Sequence, residues 1–99
     1  MIARIWHGKT KKEKGEEYLR FLIERALPDY KEKKGNLGAY ILKEDRDEES
    51  HFLTVSYWDS YESIKNFAGD DITIAKYYDK DQDFLLEFEP TVQHYQFYE

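Results

Sequence analysis

Three histidines are the residues of this 99-residue sequence with the most versatile chemistry: His7, His51 and His94. A neutral imidazole can ligate a metal ion, and it can also act as a general base near neutral pH. If the fold brings the three together, they form a candidate metal site, whereas one alone is a candidate catalytic or ligand-orienting base. The alternative is that each is a separate hydrogen-bonding residue at the end of a strand.

Arg4 and Trp6 form a second candidate pair, because side chains two residues apart on a strand point to the same face. An arginine is costly to bury without a partner, so in a central strand it should meet a carboxylate of the protein or an anionic ligand. The many Asp and Glu residues favour the internal ion pair. Trp6 suits a core position as well as a platform for a planar ligand.

The first third of the chain predicts a strand followed by a helix. The strand covers residues 1–6, and Thr10 and Glu13 have the spacing of a capping box, which predicts that the helix begins there. Pro28 removes one helical hydrogen bond, so the helix should kink or split at that point, and Gly35 should end it. The apolar stripe of this helix consists of Tyr18, Leu19, Leu22, Ile23, Ala26, Leu27 and Tyr30.

The rest of the chain predicts an antiparallel hairpin, two further helices and a last strand. These elements cover residues 37–43, 52–58, 59–69, 70–78 and 91–98. Asp59 is the predicted cap of the longer helix, and Asp70 or Asp71 is that of the short helix that carries Tyr77 and Tyr78.

If the four strands take the order 4-1-3-2, the sheet is wholly antiparallel and all three histidines fall toward one end of neighbouring strands. The third and fourth strands are apolar or aromatic on both faces, as Leu53 and Tyr57 alternate with Phe52 and Trp58. Helices can cover only one of those faces. The simplest cover for the other is a second copy of the same sheet, so we expect a homodimer. The alternative is a monomer with an unusually aromatic wet face.

Length and composition indicate a single domain that spans residues 1–99. With 15 basic and 21 acidic residues the net charge is −6, which argues against nucleic acid and acidic membranes as partners. The absence of cysteine excludes disulfides and thiolate catalysis. No apolar run approaches the roughly 20 residues of a membrane span, and no signal peptide is visible, so the cytoplasm is the expected compartment.

The chain resembles the antibiotic-biosynthesis-monooxygenase family in stretches spread over most of its length. They are residues 1–8, Leu27-Pro-Asp-Tyr30, Gly35-Asn-Leu-Gly38, Tyr57-Trp-Asp-Ser60, Phe67-Ala-Gly-Asp-Asp-Ile72, Ala75-Lys-Tyr-Tyr78 and His94-Tyr95. The resemblance implies an α+β, ferredoxin-like βαββαβ chain with a four-stranded antiparallel sheet. Two such sheets pair face to face in a dimeric α+β barrel, and each subunit holds a pocket between sheet and helices.

Some members of that family oxidise phenolic or quinol-like compounds without metal or flavin. The resemblance therefore implies a cofactor-independent monooxygenase that acts on a small aromatic compound. A histidine would deprotonate the substrate, and the resulting carbanion would react with oxygen. His94 is our first choice for that base and His51 the second. The alternative function is that of a non-catalytic homodimer of the same fold that binds a small organic molecule.

The resemblance also places the pocket wall around the second helical region. The substrate-binding candidates are Arg4, Trp6, His7, Trp58, Phe67, Tyr77 and Tyr78. Ordinary core packing is the simpler explanation for Trp58 and Phe67. Haem-degrading members carry a tryptophan and an iron-ligating histidine at the positions of Phe67 and Tyr77, which argues against haem degradation here.

Overall fold

The sheet consists of four strands, and in its two central strands about every second side chain is buried. In the computed structural model, which describes residues 1–99, the strands are β1 (Ile2–Lys11), β2 (Asn36–Arg46), β3 (Glu49–Trp58) and β4 (Gln93–Gln96). All neighbouring pairs are antiparallel, and the order is β2-β3-β1-β4. The predicted α+β class, ferredoxin-like arrangement and strand order are therefore confirmed.

Helices α1 (Gly15–Phe21), α2 (Leu27–Glu32) and α3 (Tyr61–Ala68) pack on one face of this sheet, which we call the covered face. Aromatic contacts join the two layers, since the Tyr18 and Phe52 rings lie 5.2 Å apart and the Trp58 and Phe67 rings 5.4 Å apart. The strand residues buried on the covered face are Ile2, Arg4, Trp6, Gly8, Thr10, Ala39, Ser50, Phe52, Thr54, Ser56 and Trp58.

The opposite face of the sheet carries no helix, and we call it the open face. Its side chains alternate with the buried ones, and they are half-buried or exposed in the single chain. The apolar and aromatic ones are Ile5, Tyr40, Leu42, Leu53, Val55, Tyr57, Tyr95 and Phe97, and the polar ones are His7, Lys9, Lys11, Glu44, Arg46, Glu49, His51 and Gln93. The face is therefore apolar and aromatic toward the end that carries Tyr57, and polar toward the end that carries His51.

The first helix begins later than predicted. Thr10 lies inside β1 and is fully buried on the covered face, so it caps no helix. The strand continues to Lys11, a 3-10 turn covers Lys12–Lys14, and α1 follows. The expected capping box was wrong because pairing of Thr10 with Ser50 and burial of its side chain outweigh a local cap.

Pro28 splits the first helix, as its missing amide donor predicts. The helix widens into a π-helical turn at Leu22–Ala26, and α2 starts just before the proline. Gly35, beyond the end of α2, adopts a φ of +90°, a left-handed conformation that glycine tolerates best.

Residues 70–92 depart most from the sequence expectations. The predicted short helix at 70–78 is absent, and a 3-10 turn forms later, at Asp79–Asp83. Asp71 instead accepts hydrogen bonds from the backbone and hydroxyl of Thr73. The last strand is also shorter than predicted, because only Gln93–Gln96 pairs continuously with β1.

None of the helices combines the length with the apolar character that crossing a membrane requires.

Candidate functional site

The buried Arg4 is paired with backbone carbonyls and a histidine rather than with a carboxylate of the protein. Its side chain is only 2% exposed, and its guanidinium donates hydrogen bonds to the carbonyl oxygens of Ile72 (2.6 Å) and Ile74 (3.1 Å). Burial lowers the pKa of Arg4, although arginine keeps its proton in proteins. No carboxylate contacts it. Arg4 thus fastens the irregular segment after α3 to the central strand.

His94 is the third partner of this arginine. Nη1 of Arg4 lies 3.0 Å from Nε2 of His94, and arginine can only donate, so Nε2 accepts and Nδ1 carries the proton. Burial, together with the neighbouring Arg4 charge, lowers the pKa of His94. The lone pair that a general base would use is therefore occupied in this arrangement.

His7 and His51 lie on the open face, whereas His94 lies on the covered side of β4 opposite Arg4. The expectation that all three histidines meet at one end of the sheet was wrong for His94. Nε2 of His7 and Nδ1 of His51 are 3.0 Å apart. The fold thus assembles a histidine pair rather than a triad.

Each member of the histidine pair has a carboxylate at its other nitrogen. Oε2 of Glu89 lies 2.5 Å from Nδ1 of His7, and Oε1 of Glu49 lies 3.3 Å from Nε2 of His51. Neither carboxylate was a candidate from the sequence. The result is a linear Glu89–His7–His51–Glu49 arrangement, with one residue from the segment before β4, one from β1 and two from β3.

Trp6 lies under the segment that precedes β4. Its indole occupies the space above Gly8, and the ring of Tyr77 meets it edge-on at 6.1 Å. The hydroxyl of Tyr77 donates to the backbone oxygen of Glu89, so Tyr77 holds the residue whose side chain reaches His7. Nε1 of Trp6 is buried without a hydrogen-bond partner.

Tyr77 and Tyr78 also line a cleft of about 510 Å³ between the first helix and residues 76–80. Asp29 is its polar centre, because it accepts hydrogen bonds from the Tyr78 hydroxyl (2.6 Å) and from Lys76 (2.9 Å). Partial burial alone would raise the pKa of Asp29, but these hydrogen bonds outweigh it and lower that pKa. The other lining residues are Phe21, Arg25, Asp79 and Lys80.

Trp58 and Phe67 belong to the core rather than to the cleft. Trp58 is fully buried, and its Nε1 donates to Oγ of Ser56 at 2.9 Å. Phe67 stacks against Tyr30 with ring centroids 4.5 Å apart. Together with Tyr18, these rings fill the space between sheet and helices where the resemblance implies a pocket.

The open face holds two hollows. One of about 480 Å³ is lined mainly by apolar side chains near the ends of the strands: Met1, Leu37, Tyr40, Tyr57, Phe97 and Glu99. The other, of about 130 Å³, adjoins the histidine pair and is lined by Leu42, Lys43, Glu44, Arg46 and Leu53 in addition to His7 and His51.

No protein-family model matches the chain, and no curated protein matches it.

Proposed function

We propose that this protein is a homodimer, formed through the open face of its sheet, that binds a small organic molecule. The observation that carries the proposal is the apolar character of a face that no helix covers. Tyr40, Leu42 and Tyr95 are 57%, 53% and 54% exposed on it in the single chain. A regular sheet surface with a contiguous apolar area of this kind is typical of an interface, and a two-fold axis lets it pair with itself.

Sedimentation velocity tests the dimer. We expect a wild-type dimer, and we expect Leu42→Glu to be monomeric because it buries a carboxylate in the interface. Ile23→Glu is the matched control, since Ile23 is 50% exposed on the helical layer and should leave the dimer intact. A monomeric wild type, or a Leu42→Glu variant that dimerises like wild type, contradicts the interface.

The cleft at Tyr77 and Tyr78 is the proposed ligand site. Its volume lies in the usual range for small-molecule sites, roughly 300–1,000 Å³. It offers aromatic rings to a planar compound, and Lys76 and Asp29 supply hydrogen-bonding groups for a hydroxyl or a carboxylate. A small aromatic compound with one polar substituent has the chemistry that this lining recognises.

Titration with naphthols and hydroxybenzoates, followed by amide chemical shifts, tests this site. We expect saturable shifts around residues 76–80 and a loss of binding in Tyr77→Ala. Tyr98→Ala is the control, because Tyr98 is 81% exposed and far along the chain in the C-terminal segment. Chemical shift changes confined to residues of the open face would contradict a ligand site in the cleft. Equal binding by Tyr77→Ala and Tyr98→Ala would contradict it as well.

The second candidate function is cofactor-independent oxygenation of a phenolic compound. The observation in its favour is the oriented pair His7–His51, in which Glu89 fixes the ring of His7. A base held by a second polar group is the usual arrangement in general-base catalysis. Arg4 occupies the lone pair of His94, whereas His51 can donate from Nδ1 to His7 and keep the lone pair of Nε2, so His51 is the preferred base over His94.

Oxygen uptake with a panel of quinols and naphthols tests the oxygenase. We expect His51→Ala to lower the rate about 100-fold or more, which is the usual contribution of a general base. His94→Ala should have a smaller effect. If His94→Ala lowers the rate more than His51→Ala does, His94 is the base. If no compound supports oxygen uptake, the oxygenase function is wrong and only the binding function stands.

A further inference from the structure

The contact between His7 and His51 brings Nε2 of His7 and Nδ1 of His51 face to face. Glu89 accepts a hydrogen bond from Nδ1 of His7, so the proton of a neutral His7 lies on Nδ1. Glu49, 3.3 Å from Nε2 of His51, favours a proton on that nitrogen, whereas in the other tautomer Nδ1 of His51 donates to Nε2 of His7. With the proton of His51 on Nε2, Nε2 of His7 and Nδ1 of His51 direct their lone pairs at each other across 3.0 Å.

Two opposed lone pairs at that distance repel unless a proton or a metal ion lies between them. A metal ion can take the place of that proton once the rings adjust. Two nitrogens bound at 2.0–2.1 Å to a tetrahedral zinc are about 3.3 Å apart, so the rings need to separate by about 0.3 Å and to turn until their lone pairs converge on the ion. Both ligands stand on paired strands of the sheet, β1 and β3, which hold them rigidly.

The outer contacts have the pattern of a metal site as well. A metal-bound histidine almost always donates its other ring N–H to a carboxylate or carbonyl, which orients the ring and raises its basicity. Here Glu89 and Glu49 take that place on His7 and His51 respectively. We propose that His7 and His51 form a two-histidine binding site for a divalent transition-metal ion such as Zn²⁺, oriented by Glu89 and Glu49.

The surroundings allow a cation to bind. The nearby basic residues are themselves paired: Lys9 with Glu49 and Glu87, Lys43 with Asp45 and Glu16, and Arg46 with Glu44. No third histidine, aspartate or glutamate joins the pair, so solvent completes the coordination. The adjoining hollow of about 130 Å³ has room for those water molecules.

This site does not depend on the ligand cleft or on the oxygenase function. It competes with the second candidate function, because a metal ion on Nδ1 of His51 would hold the ring proton on Nε2, where a general base needs a lone pair. Zinc would therefore inhibit any oxygenation that relies on His51. Oxygen uptake measured with and without zinc thus distinguishes metal binding from general-base catalysis by the histidine pair.

Calorimetric titration of the full chain with ZnCl₂ tests the proposal, with MgCl₂ as the comparison because Mg²⁺ prefers oxygen ligands. We expect one zinc ion per chain and no comparable Mg²⁺ binding. His7→Gln and His51→Gln should each weaken zinc binding at least tenfold. Glu89→Gln should weaken it about 10- to 100-fold, as expected for an outer carboxylate. His94→Gln is the matched control and should bind zinc like wild type.

A second measurement needs no variant. Imidazole ¹⁵N spectra of the wild-type protein should show zinc-dependent shifts of Nε2 of His7 and Nδ1 of His51, with His94 unchanged. The proposal is overturned if zinc binding does not saturate up to millimolar concentration. It is equally overturned if His7→Gln and His51→Gln bind as wild type does, or if zinc shifts only the His94 resonances.

Discussion

The hydroxyl of Tyr18 donates a 2.8 Å hydrogen bond to Oδ1 of Asp81, and both side chains are almost wholly buried. The other carboxylate oxygen accepts from the backbone amide of Tyr78 at 2.6 Å. Burial raises the pKa of Asp81 despite these two donors. This hydrogen bond joins the first helix to the 3-10 turn at Asp79–Asp83, whose first two residues line the cleft, so it helps to fix the position of that cleft wall.

Tyr18→Phe should therefore lower the free energy of unfolding by about 1–3 kcal/mol, because a buried acceptor loses its donor. Urea denaturation measures the change. Tyr98→Phe is the control, since the exposed Tyr98 hydroxyl bonds only to the side chain of Gln96 and should contribute little. Equal stability of the two variants would show that water replaces Tyr18 at Asp81.

Arg4→Met should be more damaging, because it leaves the carbonyl oxygens of Ile72 and Ile74 without their donor. We expect a loss of about 2–4 kcal/mol in the free energy of unfolding. Hydrogen exchange should also show faster opening of residues 72–75. Arg20→Met, at an exposed helical position, is the matched control. A stability close to wild type for Arg4→Met would disprove the fastening role.

His94 should make the protein less stable as the solution is acidified. Burial and the Arg4 charge lower its pKa in the folded state, so the unfolded chain takes up the proton first as the pH falls. The free energy of unfolding therefore falls as the pH drops below the pKa of His94 in the unfolded chain. It stops falling once the pH is below the lower pKa of His94 in the folded protein. Urea midpoints between about pH 7 and pH 5 should fall less for His94→Gln than for wild type. Parallel curves for the two proteins would contradict this assignment.

Gly8 should resist substitution because Trp6 occupies the space of its missing side chain. A Cβ built at Gly8 would lie 2.6 Å from Cζ2 of Trp6 and closer still to Cη2. We expect Gly8→Ala to lower the free energy of unfolding by about 1–3 kcal/mol, as overpacking does. In a Trp6→Phe background, which removes those ring atoms, the same change should have a smaller effect. A double-mutant cycle by urea denaturation measures the coupling, and zero coupling would refute the clash.

The fold was predictable because its signals are local and repeated. Alternation in 52–58 and the polar turn before it predicted the hairpin, and the row from Tyr18 to Tyr30 predicted the first helix. The failures have local causes too. Thr10 and Glu13 have the spacing of a capping box, but Gly8 and Thr10 continue the buried alternation of β1, and neither residue is apolar enough to reveal it.

The site was less predictable than the fold because it depends on register and on irregular segments. β4 pairs with β1 so that His94 faces Arg4, and only the observed register separates it from His7. Glu89 lies in an extended segment with no periodic pattern, and it is one of 21 acidic residues in the sequence. Nothing local distinguishes it from the carboxylates that face solvent.

The π-helical turn at Leu22–Ala26 corrects the phase of the first helix. Its buried residues Tyr18, Leu22, Ala26 and Tyr30 are spaced by four, and in a regular α-helix each such step overshoots a full turn by about 40°. Over three steps a straight helix would rotate this row well away from the sheet. The wider turn takes up one extra residue, and so the same row stays in contact with β3 and the core along both arms. Removing one residue at this turn should therefore give a regular α-helix whose two arms keep the same face toward the sheet, because the row from Tyr18 to Tyr30 would then span roughly three whole turns.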